Sequence, residues 1–245
     1  MPAWAIAFIV IGCLAVFAIV VGVIVGLSHR PEELDQEDVS EINRAGEKAE
    51  LLVNNKIKAM ITRELNGQGI IHRKFIFFDK KKIGKTTEID SLVVTKAGIF
   101  IIEVKGWKGE LTSCDPEAKE WTKVKQYHKT KYTYGYEETT EPNPIKQNKR
   151  HVANFLHKWM FCSDYNADTI QMVIFPYLEN IPEGTYNIKS ALTCIKELSN
   201  NGNRDIAKIE KVIAKFIKKY GATEEDHIRW IEQCKTKRNM VNAYG

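Results

Sequence analysis

Two short stretches bring acid and base into close order. Glu88, Ile89 and Asp90 open a run that ends at Val94, and Glu103, Val104 and Lys105 close a run that begins at Ile99. Both runs are rich in Val, Ile and Phe, so each predicts a strand. Residues 95–98 (Thr, Lys, Ala, Gly) predict a tight loop between them, with Gly98 free to take a positive φ. If Val94 pairs with Ile99, then Leu92 faces Ile101, Asp90 faces Glu103 and Glu88 faces Lys105. Side chains alternate with period two, so these all share one face. Directly opposed Cβ atoms stand about 4.5–5.5 Å apart. The opposite face, Ile89, Val93, Phe100, Ile102 and Val104, is apolar, which predicts covered central strands. A one-residue slip would undo the pairing.

Like charges set against each other destabilise a sheet, and buried carboxylates need neutralisation. A divalent cation supplies it. Asp90 and Glu103 are the candidate metal ligands, and their oxygens suit Mg²⁺ or Mn²⁺. Lys105 is placed to steady an attacking water or the charge that develops on a phosphate. The chemistry that fits is metal-assisted phosphodiester hydrolysis. The competing reading is a surface hairpin with ordinary cross-strand ion pairs.

Several elements must position these residues. Ile42, Ala49, Leu52, Val53, Ile57 and Met60 recur at helical spacing between residues 40 and 63, with Ser40 as the expected cap. Glu50 borders that stripe and can look toward the sheet or form a boundary salt bridge. Residues 74–79 predict a first strand. Residues 109–113 and 119–125 predict a smaller hairpin turning at Asp115 and Pro116, with Trp107 and Trp121 packed in it. Residues 126–141 read as a long polar loop. Asn143 then caps a helix opened by Pro144. Ile145, Val152, Phe155, Leu156 and Trp159 form its apolar stripe. Gln147, His151, Asn154 and Lys158 line the other side, which by spacing alone is a solvated face. Residues 169–175 predict a last strand. Residues 205–220 predict an amphipathic helix that packs on the domain, and residues 223–226 resemble a capping box for a short final helix.

These residues resemble the PD-(D/E)xK nuclease pattern, in its NERD (nuclease-related domain) branch. Ala49, Glu50 and Val53 look like the branch's leading Gly-Glu-x-x-Val signature, with Ala49 in place of the usual Gly. Ile89 and Asp90, then Ile102, Glu103, Lys105 and Gly106, match its central motif. Asn143, Pro144 and Gln147 resemble its Asn-Pro-x-x-Gln helix start. The likeness covers residues 45–156 and more loosely reaches Pro176. It implies an αβββαβ restriction-endonuclease-like core, an α/β fold with a mixed sheet and flanking helices, and Mg²⁺-dependent cleavage of nucleic acid, DNA ahead of RNA. It also implies catalytic roles for Asp90, Glu103, Lys105, Glu50 and Gln147, with Glu50 orienting the metal water or Lys105. His151 is a weaker candidate for a general base. A shared fold can host other functions. A catalytically idle membrane-tethered module that binds nucleic acid or scaffolds proteins is therefore the alternative.

The 245 residues carry a net charge of +5, compatible with nucleic acid or an anionic membrane surface and specific to neither. Lys80–82, Lys123, Lys125, Lys129 and Lys131, interleaved with Trp121, Tyr127, Tyr132, Tyr134 and Tyr136, suit phosphate contacts and base stacking, or equally a solvated loop. The five cysteines (13, 114, 162, 194, 234) show no paired spacing, which argues against a zinc site or a disulfide framework. No repeat, low-complexity tract or Gly-rich phosphate loop is present.

Residues 3–27 are apolar and uncharged. About 23 helical residues reach roughly 34 Å, enough to cross a bilayer. The run is longer than a signal-peptide core and lacks preceding Lys or Arg, so an uncleaved anchor is expected. Arg30 favours a cytoplasmic C-terminal side. Gly22 and Gly26 offer a helix-dimer face, and through it a homodimer. The expected organisation is an anchor over residues 1–28, a linker over 29–40, a nuclease-like core over 41–180 and a helical extension over 181–245.

Overall fold

The computed structural model describes residues 36–128, 133–165 and 167–244. The chain divides into two compact units, residues 1–43 and 44–245. The apolar run at 3–27, with Gly22 and Gly26, lies outside the described residues. Among the described residues no helix is long and apolar enough to cross a membrane.

Helix α1 (Gln36–Glu64) starts four residues before the cap expected at Ser40. Strands β1 (Ile70–Lys80), β2 (Lys85–Thr95) and β3 (Gly98–Val104) follow as an antiparallel meander. Short connections make sequential strands antiparallel neighbours. The β2–β3 turn is tighter than the four-residue loop expected: Thr95 already pairs with Gly98. Gly98 adopts φ +123°, and a Cβ there would collide with the Asp168 carbonyl. Strand β7 (Thr169–Ile174) lies parallel to β3, which demands a crossover, and helix α2 (Pro144–Trp159) provides it. The main sheet therefore runs β1-β2-β3-β7. The α/β class and the mixed sheet with flanking helices match the expectation.

Both faces of the sheet are covered. Ala49, Val53, Ile57 and Met60 of α1 pack on Val93, Phe100, Ile102 and Met172, with Ala191 and Ile195 of α3 (Ile188–Asn201) beside them. On the other face Phe155 and Trp159 of α2 and Ile209, Ile213 and Phe216 of α4 (Ile206–Tyr220) cover Phe75, Phe77, Leu92 and Ile101. Every residue of β3 is buried. Two-sided cover explains why β2 and β3 read as continuous apolar runs. Helix α4 packs on the domain as its stripe predicts. Helix α3 lies within the helical extension expected over 181–245, but its own bounds were not foreseen, although Asn187 and Ser190 form a capping box at its start. The last helix, α5 (Glu224–Tyr244), has 21 residues rather than a short turn or two.

The segment between β3 and α2 folds as a second sheet, β4 (Glu110–Ser113), β5 (Glu120–His128) and β6 (Tyr134–Pro142). Trp121 is buried on Phe175, as packing predicts. The long loop expected at 126–141 is instead mostly strand, with β6 pairing from Pro142 to Tyr134 against β5. Its residues are largely exposed, so no apolar alternation betrays it. Cross-strand charge replaces burial: Lys125 faces Glu137, and Lys123 bonds Glu141 at 2.9 Å.

Candidate active site

The expected β2–β3 register holds from Thr95–Gly98 through Val94–Ile99 and Leu92–Ile101 to Ser91–Ile102, where the ladder ends. Asp90 does not form the next ladder pair with Glu103. Its Oδ2 instead accepts the Val104 backbone N–H at 2.7 Å. On its other side β2 is also interrupted. Arg73 pairs with Ser91 and Phe75 with Ile89, but Lys74 and Asp90 between them form no pair, and Lys74 has φ +46°. The pleat is broken there, so the expected alternation fails. Ile89 joins Leu92 on the α2 and α4 face rather than Val93 on the α1 face. The expected Glu88–Lys105 pair is likewise absent, because Glu88 Oε2 meets His227 Nε2 of α5 at 3.0 Å. A break of this kind at the end of a ladder re-aims side chains.

Asp90, Glu103, Lys105 and Gln147 nonetheless converge. Glu103 is 2% exposed, and its Oε1 lies 2.7 Å from Lys105 Nζ. Lys105 Nζ also donates to Gln147 Oε1 at 3.0 Å. Gln147 reaches the site because α2 is fixed at its start. Asn143 accepts from the N–H groups of Ile145 and Lys146 and donates to the carbonyls of Pro116 and Ala118. Asn148 then bridges the Ile101 and Met172 carbonyls of β3 and β7. The face carrying Gln147, His151 and Asn154 is therefore turned to the sheet rather than to water. Asn154 donates to Thr87 Oγ1, and His151 Nδ1 lies 3.3 Å from Glu103 Oε2. Leu156, placed in the apolar stripe by spacing, is 37% exposed.

Glu50 is brought in by α1. Buried Asn54 donates to the Glu50 carbonyl and accepts from Ser91 Oγ at 2.8 Å, which ties α1 to β2 next to Asp90. Gly106 lets α1 approach closely: a Cβ there would stand 3.0 Å from Ala49 Cβ and 3.1 Å from the Ala45 carbonyl oxygen. Asn54 and Asn148 escaped the sequence reading. The available signal was a polar residue inside an apolar stripe, since such a residue needs a buried partner.

Electrostatics mark this corner. Burial and the neighbouring Glu103 and Glu50 push the Asp90 carboxyl well above the usual range, against the Val104 N–H and Lys105. Burial also opposes ionisation of Glu103, but His151 and Lys105 outweigh it and hold Glu103 below its ordinary value. Burial and Glu88 raise Glu50, with Lys74 opposing and Glu103 adding. Carboxyl groups are thus crowded in a buried corner, and Glu103 Oε2 makes no well-formed hydrogen bond, with His151 Nδ1 3.3 Å away. Crowded carboxyl groups and a buried oxygen without a well-formed hydrogen bond suit a divalent cation. Among the described residues no three His, Cys, Asp or Glu side chains form a ready-made ligand cluster. Beside Glu50 opens a pocket of about 320 Å³ lined by Glu47, Lys48, Leu51, Arg73 and Lys74.

The model of one protein family, the nuclease-related domain, matches residues 45–176, more than half of the chain. This chain belongs to the nuclease-related domain family. Neither the curated proteins nor the solved structures give a significant match. The matched stretch contains Glu50, Asp90, Glu103, Lys105 and Gln147, and it runs from the middle of α1 to just past β7.

Proposed function

We propose that this nuclease-related domain protein hydrolyses phosphodiester bonds of nucleic acid, DNA ahead of RNA, with Mg²⁺ or Mn²⁺ held by Asp90 and Glu103. The observation that carries the reading is the meeting of Asp90, Glu103, Lys105 and Gln147 where β2 and β3 part, with the buried Glu103 Oε2 lacking a well-formed hydrogen bond. When bound, the cation would neutralise the carboxylates, polarise the scissile phosphate and lower the pKa of water. Lys105, held at 2.7 Å from Glu103 and 3.0 Å from Gln147, presents a fixed positive charge to the phosphate. Gln147 keeps that amine in place. Glu50, whose carboxyl is raised by burial, is suited to exchange a proton with the attacking water. Lys48 and Arg73, which line the pocket beside Glu50, would take the flanking phosphates.

The proposal includes a membrane tether through residues 3–27, with the domain on the cytoplasmic side. The uncharged run of bilayer-spanning length and Arg30 after it support that reading. Gly22 and Gly26 support a homodimer through the same segment.

The test uses the full chain in detergent with linear, circular and single-stranded DNA and with RNA, in Mg²⁺, Mn²⁺ or chelator. Cleavage that requires the metal and disappears in folded Asp90→Ala and Lys105→Ala variants is the expected result. Nucleic acid bound but never cut under any of these conditions would replace the enzyme with a tethered binding module.

A further inference from the structure

Where α2 ends, the surface turns apolar and basic together. Met160 and Phe161 follow Trp159 in a turn, side by side, and are 67% and 60% exposed. Single exposed apolar residues are ordinary on a protein surface, but an adjacent pair this bare calls for an explanation. Lysines gather around it. Lys219 Nζ donates to the Phe161 carbonyl at 3.2 Å, and lies 5.8 Å from the Phe161 ring centroid and 5.2 Å from that of Tyr220. Lys158 Nζ stands 5.5 Å from the Tyr220 centroid. Burial raises the Cys162 thiol while Lys219 and Lys215 oppose it, so both ammonium groups reach the turn. Among the described residues none of Lys158, Lys215 and Lys219 pairs with a carboxylate.

The packing of the two helices produces this patch. Both α2 and α4 bury their apolar stripes against the sheet, so the side that each leaves outward is polar, and α4 fills it with lysine. Residues 156–165 and 211–220 together hold five lysines (158, 211, 215, 218 and 219) against one acid, Asp164. Lysine stems can lie along apolar surface while their charged heads stay in water. Trp159 comes twelve residues after Gln147 on α2, which sets the turn about 18 Å along the helix from the catalytic candidates. A partner seated on the turn therefore leaves Asp90, Glu103 and Lys105 uncovered.

We infer that this turn is a membrane contact of the domain itself: Met160 and Phe161 enter the interface of an anionic bilayer, and Lys158, Lys215 and Lys219 meet its headgroups. The inference rests on the membrane tether proposed above and is independent of the nuclease chemistry. Apolar side chains partition into the headgroup and acyl boundary, and lysines beside them are drawn to anionic lipid. A tether holds the turn at high effective concentration near the bilayer, so a small patch suffices. A nucleic acid fits less well. Its backbone would engage the lysines but leave Met160 in water, and Lys219 already lies over the Phe161 ring on which a base would stack.

The experiment replaces Phe161 with the photocrosslinking residue benzoylphenylalanine in the full chain, carried in nanodiscs of phosphatidylcholine with or without phosphatidylserine. A parallel variant carries the same group in place of Tyr136, which is 71% exposed on the second sheet. Mass spectrometry after irradiation counts the lipid adducts at each position. The expected result is several-fold more adduct at 161 than at 136, and more with phosphatidylserine than without. One basic residue near an anionic surface is worth about five-fold in binding, so Lys158→Glu with Lys215→Glu is expected to lower the yield at 161 by at least about five-fold, and Lys158→Arg with Lys215→Arg to preserve it. Both pairs keep Lys219 and its bond to the turn. A chain retained in the discs with equal yields at 161 and 136 overturns the inference and leaves the tether standing. A chain that does not stay with the discs overturns the tether, and the inference with it. A DNA duplex that takes the adducts at 161 in place of lipid reassigns the surface to nucleic acid and likewise overturns the inference.

Discussion

The two ends of the β2–β3 hairpin are built from the same kinds of residue and behave in opposite ways. At the turn, Val94, Ile99, Leu92 and Ile101 continue a regular ladder, and all four are fully buried. At the far end the ladder stops after Ser91–Ile102. Asp90 takes a backbone N–H of the opposing strand, and Glu103 keeps one oxygen without a well-formed hydrogen bond. The first end is arranged for stability. The second retains charge that the apolar core does not need, and retaining it is how a fold keeps a site ready for a ligand.

Lys105→Ala should break the far end most severely. Cleavage is expected to fall about 10²–10³-fold, as when one electrostatic stabiliser is removed elsewhere. Single-turnover assays on folded protein measure it. The turn end should answer in stability instead. Phe100, wholly buried against α1, should cost about 3–5 kcal/mol as Phe100→Ala in denaturant titration. A variant there that lost activity while keeping full stability would refute the division between the two ends.

Gly106→Ala tests how the ends are joined through α1. The new methyl must push against Ala49 and the Ala45 carbonyl, which should cost about 1–3 kcal/mol and withdraw Glu50 from the site. Melting curves and cleavage assays should fall together. Asp90→Asn should act in the reverse direction and stabilise the metal-free protein, because an amide keeps the Val104 contact without the charge. The sign follows from the raised Asp90 carboxyl. In the interval between its unfolded and folded pKa values the native state binds the extra proton, so wild-type stability falls as pH rises through that interval. The variant has no such loss, so its advantage in chelator should grow from acid toward neutral pH. An advantage that shrinks with rising pH would contradict the assignment. The smallest effect belongs to His227→Gln, which loosens α5 from Glu88. Both partners are part-exposed, so thermal denaturation should register less than about 1 kcal/mol.

The catalytic candidates were legible because their signals are local. Glu-x-Lys at the end of an apolar run, Ile-Asp opening another, and Asn-Pro capping a helix each declare themselves within a few residues. The register of the hairpin was legible for the same reason, since a tight turn and two apolar runs leave little freedom. The pleat break at Lys74 and Asp90 was not, because no residue type there forbids a regular strand. Strand β6 was hidden by its exposed, charged character. Spacing alone put His151 on a solvated face and left it only a weaker general-base candidate, because a helix has several faces and only the docking of Asn143 and Asn148 selects which of them meets the sheet.

By itself the sequence determined the apolar strands, the α1 stripe, the identity of the acid and base residues, and the family to which they belong, since composition and spacing are properties of neighbours along the chain. Only the tertiary structure decided that Asp90 turns to Val104, that Glu88 leaves the site for His227, and that His151 enters it. Those outcomes depend on which surfaces remain after the sheet and helices have packed, and that competition is settled by burial and hydrogen bonding between residues far apart in sequence.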